Sequence, residues 1–125
     1  MNFSATSRQF GNVVVLDLTG QLTIGEPVLH FRNSLRSLVS SGNRYFVINL
    51  NDVAYVDSSG LGELLAGYTT VRARNGEMKL LNLPARVQDL LHTTMLETVF
   101  KVYTNESEAI RALESHATGS QKPLK

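Results

Sequence analysis

The chain has 125 residues, of which 42% are hydrophobic and 18% are charged, and it contains no cysteine. This length and composition are typical of a single globular domain and exclude a chain that is disordered throughout, while the lack of cysteine excludes disulfides, zinc–thiolate sites and a cysteine nucleophile. With 12 Lys and Arg residues against 11 Asp and Glu residues, the net charge of +1 gives no electrostatic basis for binding DNA or RNA.

An N-terminal β-hairpin is the first predicted feature. Residues 3–10 alternate weakly between apolar and polar, as a strand does, and Gly11-Asn12 follows as a two-residue turn signal. Residues 13–19 are β-branched and apolar, which predicts a buried strand. We expect Gly20 to end this strand.

A helix and a second buried strand are predicted next. Pro27 fits the first turn of a helix and Gly42 fits its end. Between them an apolar stripe recurs at steps of three and four residues: Val28, Phe31, Leu35, Leu38 and Val39. Residues 45–50 predict a strand, and we expect residues 51–57 to form a loop that leads into Ser58-Ser59-Gly60.

The second half of the chain continues this alternation. Its predicted elements are a helix with Leu61, Leu64, Leu65, Tyr68 and Val71 on one face, a strand over residues 78–83, a short helix opened by Pro84, a strand over residues 99–103 and a last helix after Asn105. This order predicts an α/β fold, a single domain whose mixed, mostly parallel sheet is covered by helices. Partners of such folds meet the loops at the carboxyl ends of the strands, and residues 51–59 lie at such an end.

The ends of the chain carry neither a membrane anchor nor a secretory signal that we can identify. The longest apolar runs are strand-sized, far below the ~18 residues of a membrane-spanning helix. The first residues lack the basic start and apolar stretch of a signal peptide. We therefore expect no membrane insertion and a cytoplasmic location. Residues 115–125 are mostly small and polar and have no period, so we expect a domain over residues 1–114 and a disordered tail.

The most informative segment is Asp57-Ser58-Ser59-Gly60-Leu61-Gly62. One interpretation is a helix start, in which Asp or Ser side chains accept hydrogen bonds from free N–H groups and the glycines let other chain segments approach. The other is a regulated hydroxyl, because a helix N-terminus stabilises added negative charge and a phosphoserine adds about −1.5 to −2 charges. Both hold if one serine caps the helix and the other is modified. We expect Ser59 to be the cap, because it is closer to the helix.

The same run resembles the signature of the STAS domain, and specifically of bacterial anti-sigma factor antagonists. Three flanking segments are similar to the family: Leu18-Thr19-Gly20, the run from Val47 to Val53, and Asn75-Gly76-Glu77-Met78. The resemblance extends over roughly residues 3–114. It implies a STAS-like fold and a regulatory protein that is not an enzyme and needs no cofactor.

In this family the unphosphorylated protein binds an anti-sigma factor and so frees a sigma factor. The anti-sigma factor is usually also an ATP-dependent serine kinase, which phosphorylates the first serine after the aspartate of the motif. A separate metal-dependent phosphatase resets the protein. The resemblance thus implies phosphorylation of Ser58. The residues expected at the partner surface are Gln21, Thr23, Asp57, Ser58, Ser59, Gly60, Leu61 and Gly62.

One segment departs from the family pattern. After the second strand, antagonists often carry glycine, glutamate, an aliphatic residue and aspartate, whereas this chain has Gly20-Gln21-Leu22-Thr23. Both acidic groups are replaced by neutral ones, which indicates a partner that differs from the usual kinase. An alternative function within the family is therefore an accessory subunit of a transport or signalling complex.

A small serine hydrolase is the alternative from another class. It would need a base such as His30, His92 or His116 beside Ser58 or Ser59. The segment lacks the glycine two places before the serine that a nucleophile elbow requires. The three histidines show no metal-ligand spacing either, so we expect no metal site.

Overall fold

The computed structural model describes the backbone of residues 2–121 and the side chains of residues 2–114. Within this range the elements are β1 (Ser4–Phe10), β2 (Val13–Leu22), α1 (Glu26–Ser40), β3 (Tyr45–Val56), α2 (Ser58–Ala73), β4 (Glu77–Leu81), α3 (Ala85–Thr93), β5 (Val102–Tyr103) and α4 (Glu106–Gln121). A single turn of 3-10 helix, Leu96–Thr98, precedes β5. The predicted α/β order of elements is confirmed.

The strands form one sheet in the order β1-β2-β3-β4-β5. Strand β1 is antiparallel to β2, and the remaining pairs are parallel. The prediction of an N-terminal hairpin on a mostly parallel sheet is therefore confirmed. Because β2 and β3 are parallel neighbours, their carboxyl ends meet at the same edge of the sheet.

Helices cover both faces of the sheet, which explains why the first part of β2, residues 13–16, is apolar without alternation. Side chains such as Val14 and Leu16 belong to the larger buried cluster, which also contains residues of α1, α2 and α3. Val13 and Val15 point to the opposite face and pack with residues of α4, among them Leu113. Alternate side chains of one strand therefore stabilise two separate layers of helix.

Strands β2 and β3 extend further than the sequence predicted. Gly20 does not end β2; it lies inside the strand at a φ of 100°, beside a shift in the register with β3. Residues 51–56 are strand and not loop, because Val53 and Val56 are buried in the core. The register shifts break the period of two, and the polar residues Asn51 and Asp52 before Val53 led to the prediction of a loop.

The last two strands are shorter than predicted. Strand β4 ends at Leu81, because Asn82 adopts a left-handed φ of 58° that a strand does not continue through. Strand β5 contains only Val102–Tyr103. Phe100 is buried, but it belongs to the turn after the 3-10 helix. Because it is apolar, the sequence predicted a longer strand that included it.

Helix α4 continues to Gln121 and so enters the segment for which we predicted a disordered tail. Residues 122–125 lie outside the described residues. The buried residues of α4, Ala109 and Leu113, both precede residue 115. The domain boundary at residue 114 stays a prediction.

Deleting residues 115–125 is expected to leave thermal stability nearly unchanged. Their sequence has few apolar groups that could pack on the domain. Thermal unfolding followed by circular dichroism checks this. A fall of more than about 5 °C in Tm, the size expected from losing about 1 kcal/mol, would show that these residues contribute to the folded domain.

A polar cluster connects the hairpin to α4. The guanidinium of Arg8 donates to both carboxylate oxygens of Asp17, at 2.6 and 2.9 Å, and to the carboxylate of Glu106, at 2.7 and 3.1 Å. The side-chain amide of Asn49 donates to Asp17 at 2.8 Å. The hydrogen bonds from Arg8 lower the pKa of Asp17, against the opposing effect of its partial burial.

The Asp17→Asn variant is expected to be less stable than the wild type at neutral pH, by about 1–2 kcal/mol for a charged hydrogen bond that is partly exposed. The pKa of Asp17 in the folded protein lies below its ordinary value of 3.8. The ionised side chain therefore contributes fully to the free energy of unfolding above pH 3.8, and this contribution is lost as the pH falls through the folded pKa. Urea unfolding at several pH values should therefore show the two proteins converging below pH 3.8. An Asp89→Asn variant, at an exposed position on α3, is the control. A difference that does not change with pH would contradict this account.

Candidate functional site: the carboxyl edge of strands β2 and β3

The candidate site lies where β2 and β3 end next to each other. The backbone N–H of Asp57 donates to the carbonyl oxygen of Leu22 at 3.3 Å. This contact joins the end of β2, which contains Gln21 and is followed by Thr23, to the start of α2. The structure therefore brings together the two segments that the sequence analysis selected separately.

Asp57 is the residue that caps α2. It has an extended backbone, and its Oδ1 accepts a hydrogen bond from the N–H of Gly60 at 2.8 Å. The prediction that Ser59 is the cap is therefore wrong. Aspartate competes well with serine for this position, and its longer side chain carries a second oxygen. That oxygen, Oδ2, accepts from the N–H of Ile24 at 3.0 Å.

Gly60 allows α2 to approach the end of β2. A Cβ atom built on Gly60 would collide with the carbonyl oxygen of Leu22, and Gly60 is buried. Gly62 differs, because a Cβ there would meet no atom within 4 Å. The prediction that both glycines permit close approach of other chain segments therefore holds for Gly60 and is wrong for Gly62.

Ser58 is exposed at the first position of α2. We expected it on the loop before the helix; because the cap is Asp57 and not Ser59, the helix instead begins two residues earlier, at Ser58. Gly62 lies one turn further along and is also exposed, and it adds no side chain beside Ser58. The hydroxyl of Ser58 is therefore accessible to another macromolecule.

Ser59 lies on a different side of the helix and is half-buried. Glu63 is four residues on, so it shares the face of Ser59, and its carboxylate accepts from Arg32 of α1 at 2.8 and 3.1 Å. These hydrogen bonds raise the pKa of Arg32. The face of α2 that carries Ser59 is thus turned toward α1, whereas the face that carries Ser58 is exposed to solvent.

Two exposed apolar residues lie at the same edge of the sheet as Ser58, and the sequence alone did not predict them. Ile24 is 73% exposed, although its backbone is hydrogen bonded to Asp57. Tyr55 is 43% exposed on β3, opposite Gln21 of β2. Both residues lie close to the carboxyl end of a strand, and this position in the sequence could have identified them as candidates for the site. An exposed isoleucine and tyrosine beside a polar centre are typical of a protein-binding surface.

The predicted partner residues divide into two groups. Gln21, Ser58 and Gly62 are exposed, while Thr23, Asp57 and Ser59 are half-buried. Gly60 and Leu61 are buried, so they position the surface and do not form it.

The arrangement does not provide the parts of a serine hydrolase. In the described part of the chain, no histidine is hydrogen bonded to Ser58 or Ser59. His92 bonds to Glu97, and the ring of His30 packs edge-on against Phe3. The side chain of His116 lies outside the described residues.

Among the described residues we find neither a metal centre nor a membrane span. No group of three or more His, Asp or Glu side chains among the described residues could hold a metal ion. Nor is any described helix both long enough and apolar enough to cross a bilayer.

Comparisons with known proteins identify a family for this chain. The sequence model of the STAS domain matches residues 4–109. The anti-sigma-B factor antagonist of Bacillus subtilis (strain 168) is 30% identical over 103 residues, which cover 82% of this chain and 92% of the relative. The anti-sigma F factor antagonist of Paenibacillus polymyxa is 25% identical over 114 residues, 91% of this chain and 97% of the relative.

Solved structures show the same fold. The anti-sigma factor antagonist SpoIIAA in its unphosphorylated form matches with a TM-score of 0.78 and 23% identity, covering 90% of this chain and 97% of that one. The phosphorylated form of this Bacillus cell fate determinant matches with a TM-score of 0.70 and 23% identity, covering 89% and 98%. At these identities the likeness concerns the fold.

Proposed function

Because the chain belongs to the STAS domain family, and within it to the anti-sigma factor antagonists, we propose that it is a switch between two partners. Its unphosphorylated form binds an anti-sigma factor and thereby frees a sigma factor. Phosphorylation of Ser58 by that anti-sigma factor, acting as a serine kinase, ends the binding. We place this exchange in the cytoplasm, where sigma factors act.

The observation that carries the proposal is the exposed Ser58 at the helix start, at the same edge of the sheet as the exposed Ile24 and Tyr55. Apolar side chains next to it supply contact area for a protein partner. A phosphate at the centre of that contact would place a charge where the partner buries surface, and burying an unpaired charge is costly. One modified atom would therefore control the whole interface.

The phosphoryl transfer is chemically complete with ATP as the donor. The Oγ atom of Ser58 forms a bond to the γ-phosphorus, the bond from that phosphorus to the bridging oxygen breaks, and ADP leaves. A base on the kinase takes the hydroxyl proton. The product is compatible with the fold, because the N-terminus of α2 favours negative charge. A phosphatase reverses the state by hydrolysis: water attacks the phosphorus, the bond from phosphorus to Oγ breaks, Oγ takes up a proton, and inorganic phosphate leaves.

The neutral residues Gln21 and Thr23 affect which charges the partner needs on its contact surface. Both lie beside the start of α2, where relatives of this family often carry acidic groups. The surface around Asp57 therefore has fewer negative charges, so its partner needs fewer lysines or arginines at that position. We propose an anti-sigma factor whose contact surface is correspondingly less basic.

Size-exclusion chromatography tests the proposed function directly. The full chain is mixed with each anti-sigma factor kinase encoded in the same genome, with either ATP or a non-hydrolysable ATP analogue. One kinase should form a complex that persists with the analogue and dissociates with ATP. The proposal fails if no such kinase binds, or if the complex that forms is unaffected by ATP.

A further inference from the structure

We infer that Asp57 couples the charge on Ser58 to the position of Ile24, so that phosphorylation releases an apolar contact residue as well as adding a charge. The inference rests on the proposed function only in taking Ser58 as the acceptor. Asp57 is a positioning residue in this scheme, since it acts through Ile24 and not through a contact of its own with the partner.

The inference rests on the two carboxylate oxygens of Asp57, which accept hydrogen bonds from two different segments of the chain. Oδ1 of Asp57 accepts from the N–H of Gly60 at 2.8 Å, inside α2. Oδ2 accepts from the N–H of Ile24 at 3.0 Å, on the segment between β2 and α1. A single side chain therefore holds two segments together, and it directly precedes Ser58 in the chain.

Ile24 depends on this contact more than its neighbours do. Its side chain is 73% exposed, so packing contributes little to its position. It is followed by Gly25, whose φ of 101° lies in a region that glycine favours. The backbone before it is fixed by β2, which ends at Leu22. Thr23 and Gly25 on either side accept hydrogen bonds from α1 through their carbonyl oxygens, so the hydrogen bond to Asp57 is the contact that holds the N–H of Ile24 itself between them.

A phosphate on Ser58 would oppose that hydrogen bond in two ways. About two negative charges on the neighbouring residue repel the Asp57 carboxylate, and for a separation on the order of 6 Å in water relieving this repulsion corresponds to at most about tenfold in an equilibrium constant. The phosphate oxygens also compete for the N–H groups of the first helical turn, which Asp57 now occupies in part. Displacement of the carboxylate by either route leaves the N–H of Ile24 without its acceptor.

The Asp57→Asn variant separates the two functions of this side chain. Asparagine caps a helix about as well as aspartate, so its oxygen retains the hydrogen bond from Gly60. Its other terminal atom is an NH2 group, which cannot accept from the N–H of Ile24. The variant therefore removes the contact to Ile24 and keeps the helix start. Asp57→Ser, which also caps but carries one oxygen only, is the second variant in case the first does not fold.

Amide hydrogen exchange followed by NMR on the full chain tests the inference without any partner. Phosphoserine is installed at position 58 during translation, so the experiment does not depend on a kinase. The exchange rate of the Ile24 amide should rise roughly 5- to 20-fold in the phosphoserine protein and by a similar factor in Asp57→Asn. In Asp57→Asn the Gly60 amide should keep its protection, and Ser59→Ala should leave the Ile24 amide unchanged.

The outcomes separate this inference from the proposed function. If the phosphoserine protein and Asp57→Asn both keep the wild-type exchange rate at Ile24, the coupling is refuted, while loss of partner binding on phosphorylation could still occur through charge alone. If Ile24 is released but the phosphoserine protein binds the anti-sigma factor as tightly as the unmodified chain, the coupling stands and the proposed function fails.

Discussion

Replacing Gly60 by alanine is expected to destabilise the protein by at least about 3 kcal/mol, a loss at the high end for a single substitution. The added Cβ would occupy the place of the Leu22 carbonyl oxygen. This neighbour is backbone at the end of β2, paired with β3, so it cannot turn away as a flexible side chain can. The helix start would have to shift, and the hydrogen bond from Asp57 to Leu22 would be lost.

Gly62→Ala is the matched control for this substitution. It makes the same chemical change two residues away, where a Cβ meets nothing within 4 Å. Alanine in a helix is up to about 1 kcal/mol more stable than glycine, so this variant should equal or exceed the wild type. Urea unfolding of both variants gives the comparison. Equal stability of Gly60→Ala and the wild type would show that α2 does not pack on β2 in this way.

Substitutions at Ser58 are expected to change partner binding without changing stability. Ser58→Asp places one negative charge at the exposed first position of α2, where the helix N-terminus tolerates it. In a contact that buries this position, the charge should weaken the affinity for the anti-sigma factor by roughly 5- to 150-fold, or about 1–3 kcal/mol. Ser58→Ala should bind and should not be released by ATP. Isothermal titration calorimetry measures both affinities.

Ser107→Asp is a control for charge alone. Ser107 is exposed in the first turn of α4, which packs on the opposite face of the sheet. The variant places the same charge at a similar position in a helix. Because this charge is exposed and lies away from the proposed contact, the affinity for the anti-sigma factor should stay within about twofold of the wild-type value. Equal affinities for Ser58→Ala and Ser58→Asp would argue against a charge switch.

The elements were predictable from the sequence wherever an apolar period was regular. The stripe of α1 and the buried run that begins β2 both contain long series of residues that repeat as helix or strand requires. Prediction failed where the chain leaves that period. Gly20 lies inside a strand because a register shift accommodates its left-handed φ, and no local pattern distinguishes this from a strand end.

The segment from Asp57 to Gly62 could be predicted from the sequence, whereas the exposed residues Ile24 and Tyr55 could not. The run from Asp57 to Gly62 identified the segment, because helix starts favour its residue types. The choice of Asp57 over Ser59 as cap depends on the reach of the side chain to Ile24, which lies 33 positions away in sequence. The exposure of Ile24 and Tyr55 depends on how β2 and β3 end together, which is a property of the tertiary structure.

Since the cap is Asp57, Ser59→Ala should change the free energy of unfolding by no more than about 0.5 kcal/mol, the range of substitutions away from special contacts. This is smaller than the cost of about 1 kcal/mol expected for a capping serine. Thermal unfolding of this variant checks the capping assignment. A loss of 1 kcal/mol or more would indicate a structural contribution of the Ser59 hydroxyl.

The most direct test of the central claim maps the phosphate. The chain and its Ser58→Ala and Ser59→Ala variants are incubated with the cognate anti-sigma factor and ATP, and the modified residue is located by tandem mass spectrometry. We predict one phosphate on Ser58 in the wild type and in Ser59→Ala, and none in Ser58→Ala. Phosphate on Ser59, on a residue outside the start of α2, or on no residue at all would contradict the assignment of Ser58 as the switch.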